Sequence, residues 1–259
     1  MTGLPSHSKR PATAPPAQVA ILAALGEELR PLLRRTSVAR SRDVGPVRVA
    51  EGRLGQAALR VALSGVGPVR ASAAAASLLD DGAVSALIVI GTAGGLQPGL
   101  PAGAVVVAQR LVDGTVPVGT PDASLVARAV RAGALPGTIV SAGRMLCTAQ
   151  AKARAWAACG ASGPAVVDLE SAAAVREAVR RRTPWVVVRA VCDPAEEDLP
   201  LDFDRFTDDS GELRRGAVAR HALLRPARLP ALLDLRRRVL ACGEQLARLV
   251  RRLLEEEAR

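Results

Sequence analysis

Short apolar runs alternate with segments of helical spacing along most of the chain. The clearest case is the stretch 164–194, in which apolar residues at 165–167 and 185–188 flank an Ala-, Glu- and Arg-rich segment at 171–182. Apolar runs of this length are typical of buried strands, and the segment between them has the length of a helix. The pattern predicts a strand, a crossover helix and a second, parallel strand in a buried sheet.

The same alternation extends through the rest of the chain. Strands are predicted at 19–25, 85–90, 103–108 and 137–142, a hairpin-like pair at 47–52 and 56–63, and helices at 26–33, 69–81, 122–132 and 148–159. The glycine-rich residues 91–95 are predicted to form a turn between two strands. This order of elements has no visible repeat or internal boundary, and it indicates one α/β domain over 18–259.

Acidic side chains follow several of the predicted strands. Asp168 and Glu170 come directly after one apolar run, and Asp193 ends another. Because open α/β sheets place their ligands at the carboxyl edge, these groups predict a site built from two carboxylates. Glu27 and Glu28 stand where the first strand passes into a helix, although the helix dipole alone also favours acidic residues there.

Two glycine-rich motifs each allow more than one interpretation. The G-x-G at 65–67 suggests a dinucleotide site, but Arg70 replaces the third small residue, and Asp80 and Asp81 lie on the predicted helix. The residues 91–95 could bring backbone N–H groups close to an oxygen-rich ligand, or could form only a tight buried turn. Residues 143–147 follow a strand and are a candidate pocket wall, with core packing the alternative.

Composition limits the classes of protein to which the chain could belong. Its 259 residues are 49% hydrophobic and carry a formal charge of +10, which permits attraction to nucleic acid or to an anionic membrane. Nucleic acid is disfavoured because no basic run is interleaved with aromatic residues. Four widely spaced cysteines and two histidines indicate a reduced cytosolic chain without a zinc site.

The two ends of the chain differ from its middle. Residues 1–17 are rich in proline, lack an apolar core and are expected to be a disordered leader and not a signal peptide. The uncharged stretch 83–109 is interrupted by glycine and proline, which favours buried strands over a membrane span. The acidic segment 194–216 is expected to be a loop or lid. A basic amphipathic helix is predicted at 229–254, either packed on the domain or resting on anionic lipid.

Five motifs follow one another along the chain, at 19–33 (VAILAALGEELRPLL), 63–75 (LSGVGPVRASAAA), 90–96 (IGTAGGL), 166–172 (VVDLESA) and 187–193 (VVRAVCD). In this order they resemble the motifs of the nucleoside phosphorylase and nucleosidase superfamily, with the methylthioadenosine/S-adenosylhomocysteine nucleosidases the nearest branch. More narrowly, RAVCDPAEEDLP and the later ARLPALLDLRR resemble the hopanoid-associated phosphorylase branch, which is associated with removal of adenine from adenosylhopane. The resemblance implies a single-domain, three-layer α/β/α fold with a central mixed sheet and a long C-terminal helix.

The resemblance also implies a role for each acidic residue. Cleavage of an N-glycosidic bond needs a proton for the departing base, an anchored ribose and a positioned nucleophile. By the family match, Asp193 protonates adenine at N7, Glu170 stays ionised and binds the ribose hydroxyls beside Leu169, and Glu28 activates water.

Other positions of the match form the walls of the expected site. Met145 and Leu146 stand where the nucleosidases carry an aromatic residue that stacks on adenine, and Cys192 replaces a serine beside the base. The nucleophile pocket is expected at Gly67, Gly91 and Thr92. Val89 occupies the position of the phosphate-binding arginine of the phosphorylases, which favours water as the nucleophile.

The expected function is hydrolytic release of adenine from adenosylhopane, giving ribosylhopane. The alternatives are a phosphorylase giving phosphoribosylhopane, a methylthioadenosine/S-adenosylhomocysteine-type nucleosidase and, more remotely, a non-catalytic membrane-surface binding protein. No metal or organic cofactor is implied. The expected partners are an adenine nucleoside with an apolar 5′ substituent, phosphate if the enzyme is a phosphorylase, the cytoplasmic membrane surface and a second copy of the chain, but not nucleic acid.

Overall fold

The computed structural model describes residues 18–45, 47–80, 84–206, 214, 216–218, 220 and 226–255. The expected leader at 1–17 and most of the acidic segment beyond Phe206 lie outside these residues. The strands are β1 (Gln18–Ala23), β2 (Ser37–Val44), β3 (Val47–Leu54), β4 (Ala57–Leu63), β5 (Val84–Gly95), β6 (Val105–Asp113), β7 (Val116–Pro117), β8 (Leu135–Ser141), β9 (Ala165–Asp168) and β10 (Trp185–Asp193). The α-helices are α1 (Gly26–Leu33), α2 (Pro68–Leu79), α3 (Ala123–Arg131), α4 (Ala149–Cys159), α5 (Ser171–Arg181) and α6 (Leu229–Glu255), with 3₁₀ turns at Phe203–Phe206 and Pro226–Arg228.

All of these strands belong to one mixed sheet that closes on itself at one end. β5 pairs with both β10 and β9, and the ring is completed through β6 and β8. The other side of β5 continues as an open sheet through β1, β4, β3 and β2. Because β5 belongs to both parts, its carboxyl end lies where the ring and the open sheet meet.

Helices cover both faces of the sheet, as the expected three-layer fold requires. Along β1, Val19 and Ile21 join a core with α1, α3 and α6, whereas Ala20 and Leu22 join a second core with α2 and α5. The division follows from the strand period of two, which sends alternate side chains to opposite faces. Helix α4 closes a third, smaller cluster around Val140, Ala165 and Val167.

The predicted parallel pairing of the strands flanking α5 is wrong. β9 runs antiparallel to the end of β5 and parallel to β8, whereas β10 runs parallel to β5 and antiparallel to β6. The end of β5 lies between β9 and β10 and pairs with each of them, so β9 and β10 do not pair with one another. Their acidic carboxyl ends still meet, but through Gly94 and Gly95 of β5 rather than along one parallel edge.

The predicted turn at 91–95 is also wrong, since β5 runs through it to Gly95. These glycines are required by close neighbours and not by a reversal of the chain. A Cβ at Gly91 would lie 1.9 Å from Nη1 of Arg189, and one at Gly94 would lie 3.1 Å from Oδ2 of Asp193. Glycine therefore makes room for two charged side chains from β10.

Helix α6 crosses α1 and then enters the core. Its second half is buried at residues that include Leu246, Leu249, Val250 and Leu253, whereas Leu233 and Leu240 of the first half are exposed. Within the described part of the chain, none of the helices is both long and apolar enough to cross a membrane.

Candidate active site

A cavity of about 430 Å³ opens where β5, β9 and β10 end, and the first half of α6 forms its outer wall. Its lining includes eight residues that the sequence predicted for the site: Glu28, Thr92, Met145, Leu146, Leu169, Glu170, Cys192 and Asp193. The two glycines predicted for the nucleophile pocket, Gly67 and Gly91, lie behind this surface. Residues that are far apart in the sequence are therefore brought into a single site.

Glu28 is buried at the inner end of the cavity and is held by four donors. Its Oε1 accepts from the backbone N and the Oγ1 of Thr92, each at 2.8 Å. Its Oε2 accepts from the N–H groups of Ala24 at 3.1 Å and Leu25 at 2.9 Å. The bond from Leu25 also caps α1, so the carboxylate both starts the helix and faces the cavity.

A second carboxylate, Glu170, follows β9 and is anchored by backbone. Its Oε1 accepts from the N–H of Gly67 at 2.9 Å, which explains why that glycine belongs to the site without lining it. Burial raises the pKa of Glu170 to about 7 against the opposing effect of Arg189, and the Asp168 charge adds to the increase. With a pKa of about 7, Glu170 is partly protonated at neutral pH, and its binding of ribose in the ionised form stays a prediction.

Arg189 lies beneath these carboxylates and is fully buried in the middle of β10. Its Nη2 lies 2.6 Å from Oδ2 of Asp168 and 3.8 Å from Oε2 of Glu170. Burial opposes the charge of Arg189, but Asp168, Glu170 and Glu28 outweigh that effect and raise its pKa. Ser171 donates to Asp168 and accepts from Arg189, which completes the buried network.

Asp193, at the end of β10, has a different partner on each oxygen. Nζ of Lys152 lies 2.6 Å from Oδ2, and the thiol of Cys192 lies 3.0 Å from Oδ1. Burial, aided by the Asp193 charge, raises the pKa of Cys192 well above its usual value, so this residue remains a thiol that can donate. The carboxylate is thus oriented from behind while its side facing the cavity stays accessible to a ligand.

The remaining walls of the cavity are apolar. Met145 and Leu146 form one wall beside Asp193, in keeping with the predicted apolar surface for a base. At the outer end, Phe203, Val218 and three residues of α6, Leu232, Leu235 and Val239, line the opening. Arg236 is the charged residue of α6 at this rim. The site therefore combines buried carboxylates with an apolar mouth, by which we mean the half-buried lining residues Phe203, Val218, Leu232, Leu235 and Val239.

Three buried residues of the site, Asp168, Arg189 and Lys152, were not assigned roles from sequence. A signal for Arg189 was present, because a charge inside the apolar run 185–191 must find a buried partner. The signal for Lys152 was weaker: it is one of only two lysines in the chain, the other being Lys9. Their partners lie far away along the sequence, and only the fold brings them together.

Comparison with known proteins places this architecture in a family. Residues 18–224 match the model of the Phosphorylase superfamily. The 5′-methylthioadenosine/S-adenosylhomocysteine nucleosidase of Shewanella pealeana is 26% identical over 223 residues, covering 75% of this chain and 94% of that protein.

Two solved structures show the same fold. The nucleosidase of Colwellia psychrerythraea, in complex with adenine, aligns with a TM-score of 0.75 at 20% identity and covers 93% of this chain and 96% of its own. The native futalosine hydrolase of Helicobacter pylori aligns with a TM-score of 0.72 at 18% identity, covering 93% and 98%. With most of its length matched by the family model, the chain belongs to the Phosphorylase superfamily and is an enzyme of that superfamily.

Proposed function

We propose that this enzyme hydrolyses the N-glycosidic bond of an adenine nucleoside that carries an apolar 5′ substituent. The observation that carries the proposal is the cavity itself, whose lining combines Glu28, Glu170 and Asp193 with apolar side chains of α6. The likeness to a methylthioadenosine/S-adenosylhomocysteine nucleosidase supports adenine as the leaving group.

Each carboxylate has a place in the reaction. As the bond between C1′ and N9 breaks, its electron pair moves onto adenine, and Asp193 supplies the proton that N7 takes up. Glu170 accepts hydrogen bonds from the ribose hydroxyls and, when ionised, stabilises the positive charge that develops on the sugar. Glu28 accepts a proton from water as the water oxygen bonds to C1′, so the products are free adenine and a ribosyl compound.

The charges around Glu28 favour water over phosphate as the nucleophile. Arg189 lies near Glu28, but Asp168 and Glu170 already surround it. Val89, at the position expected to carry a phosphate-binding arginine, is buried and apolar. A phosphate anion beside Glu28 and Glu170 would therefore be repelled by their carboxylates. The phosphorylase alternative would require a cation to bind the phosphate, either Arg144 or Arg236 of the cavity lining or an Arg189 that exchanges its partners.

The outer half of the cavity favours a substrate with a bulky hydrocarbon at the 5′ position, and we propose adenosylhopane. Leu232, Leu235 and Val239 offer the sugar's 5′ side an apolar surface. A polycyclic hydrocarbon attached to adenosine exceeds the volume of the cavity, so its outer rings would extend past α6. A 5′-methylthio group would leave that apolar mouth unfilled, which makes the smaller nucleosides the second candidate.

A membrane surface is the proposed source of such a substrate. Leu233 and Leu240 are exposed seven residues apart on one face of α6, with the exposed Arg237 between them and Arg248 two turns further on. Apolar side chains flanked by arginines suit the headgroup region of an anionic bilayer. Helix α6 would then stand between the bilayer and the apolar mouth.

The test is adenine release from detergent-dispersed adenosylhopane and from 5′-methylthioadenosine, in phosphate-free buffer and again with phosphate. We expect release without phosphate and faster turnover of the hopanoid. Release that depends on phosphate would establish the phosphorylase alternative, and preference for the small nucleoside would assign the enzyme to the methylthioadenosine type. No release from either substrate would overturn the proposed function.

A further inference from the structure

Lys152 is a fully buried cation behind the proposed catalytic acid. It lies in the first turn of α4, and its Nζ contacts Oδ2 of Asp193 at 2.6 Å, the carbonyl oxygen of Pro194 at 2.8 Å and that of Glu197 at 2.9 Å. An ammonium group has three N–H donors, so these contacts use all of them. Its position is thus determined completely by Asp193 and the segment that follows it.

Burial of this ammonium is costly unless its charge is balanced. Two of the three contacts go to backbone carbonyls, which a neutral donor could satisfy equally well. Only the contact with Asp193 requires a charge on the side chain. The positive charge of Lys152 therefore acts on the carboxylate of Asp193, and the loop that contains Pro194 and Glu197 does not require it.

The two oxygens of Asp193 differ as a result. Oδ2 is held by Lys152, whereas Oδ1 accepts from the thiol of Cys192, which is a weak donor that a better partner can replace. Oδ1 is therefore the oxygen that can be presented to a base in the cavity. Gly94, whose Cβ would lie 3.1 Å from Oδ2 of Asp193 and 3.6 Å from Cε of Lys152, leaves room for this arrangement.

We infer that Lys152 is a positioning residue of the reaction, which fixes Oδ2 of Asp193 and stabilises the carboxylate that remains after Asp193 has given its proton to the base. This inference rests on the proposed function. When the C1′–N9 bond breaks, the proton passes from Asp193 to N7, and negative charge appears on the carboxyl group. The adjacent ammonium offsets that charge in the transition state.

The experiment measures kcat and KM for adenine release between pH 5 and 9 in the wild type, in Lys152→Gln and in Lys152→Arg. Glutamine keeps an amide donor but removes the charge. We expect kcat of Lys152→Gln to fall roughly 100-fold, as for loss of support to a general acid, with a much smaller change in KM. Loss of the positive charge beside the general acid should also move the alkaline limb of the kcat profile to higher pH.

Lys152→Arg keeps the charge and alters the geometry, so it should lower kcat while leaving the alkaline limb in place. Asp198→Ala is the matched control, because Asp198 accepts from the N–H of Ala149 at 2.7 Å and ties the same loop to the same helix. It should leave the pH profile unchanged. If Lys152→Gln does not fold, Lys152→Arg carries the test, and a wild-type kcat in that variant would overturn the inference.

Two further results would also overturn it: a Lys152→Gln profile that superimposes on that of the wild type, or an equal displacement of the limb in Asp198→Ala. A wild type that releases no adenine would instead overturn the proposed function, and this inference with it.

Discussion

Gly243 of α6 lies directly against the backbone of Glu27, the residue before the proposed water-activating carboxylate. A Cβ at position 243 would lie 2.4 Å from the carbonyl oxygen of Glu27, which is closer than real Cβ contacts allow. The C-terminal helix therefore packs without a gap on the helix that carries Glu28. Through this contact, α6, which lines the cavity, is packed on α1, which carries Glu28.

Gly243→Ala is expected to push α6 away from α1, because the new Cβ would clash with the carbonyl oxygen of Glu27. This oxygen belongs to the backbone and cannot move away by a change of rotamer. Overpacking of this kind costs about 1–3 kcal/mol. Both the melting temperature and kcat/KM should fall. The control is Gly133→Ala at the surface, whose Cβ would meet no atom within 4 Å but whose φ of 108° is strained for alanine. It should lower stability without the same loss of activity.

Glu170 should make the stability of the protein depend on pH. Its pKa is raised from 4.5 to about 7 in the folded state, so the folded protein keeps a proton that the unfolded chain has lost between those values. The free energy of unfolding should therefore fall as pH rises from 4.5 to 7, by about 3 kcal/mol for this group. Urea unfolding of the wild type and of Glu170→Gln at pH 5 and pH 8 tests this dependence. The free energies of unfolding of the two proteins should differ less at pH 5, where Glu170 is protonated, than at pH 8.

The titration of Glu170 should also appear in the pH dependence of kcat/KM. If ribose is bound by the ionised form, kcat/KM should rise with pH until about 7 and then level off, because the pKa of Glu170 lies near that value. An acid limb near pH 4.5 would mean that substrate meets a Glu170 that is already ionised.

Asp193→Asn should lower adenine release by a factor of about 10²–10⁴, the usual contribution of a general acid. The amide cannot supply the proton that N7 takes up as the bond breaks. Asp198→Asn makes the same chemical change five residues later on an exposed side chain and should keep near wild-type turnover. Retained activity in Asp193→Asn, with its folding verified by circular dichroism, would remove Asp193 from the role of acid.

The strands and helices could be predicted from the sequence better than the side-chain contacts of the site. Most strands and helices were predicted within a few residues, because apolar runs and helical spacing mark them locally. β2 was missed because it reads SVARSRDV and is mostly exposed at the edge of the sheet. The predicted turn at Gly91 failed for a nonlocal reason, since the glycine makes room for the Arg189 guanidinium.

Some residues have a structural role and also line the cavity. Glu28 caps α1, as the helix dipole suggested, and its carboxylate also lines the cavity. Helix α6 packs in the core through Leu246, Val250 and Leu253, while its first half lines the opening. Deletion of the whole helix would remove core packing, and it would therefore be a poor test of substrate binding.

The proposed membrane-facing role of α6 can be tested by changes of charge alone. Arg237→Gln with Arg248→Gln should weaken sedimentation with vesicles containing anionic lipid, since each arginine near such a surface contributes about 1 kcal/mol. Arg48→Gln with Arg154→Gln removes the same charge from exposed positions elsewhere and should have less effect. Equal loss in both pairs would indicate attraction to net charge rather than docking through α6.

Leu235→Asn tests whether the apolar mouth selects the substrate. Leu235 lines the cavity, so a polar side chain there should disfavour a hydrocarbon at the 5′ position by about 1–3 kcal/mol, which is the scale for burying an apolar group of that size. Adenosine, which lacks that group, should be cleaved almost as before. Both substrates are presented in detergent, so that docking on a membrane does not contribute to the rates. The matched control is Leu233→Asn, since Leu233 lies two residues away on the same helix but is exposed. The ratio of kcat/KM for adenosylhopane to that for adenosine should therefore fall by about 5- to 150-fold in Leu235→Asn and remain near the wild-type value in Leu233→Asn. An equal fall for both substrates would mean that Leu235 supports the helix and does not contact the 5′ group.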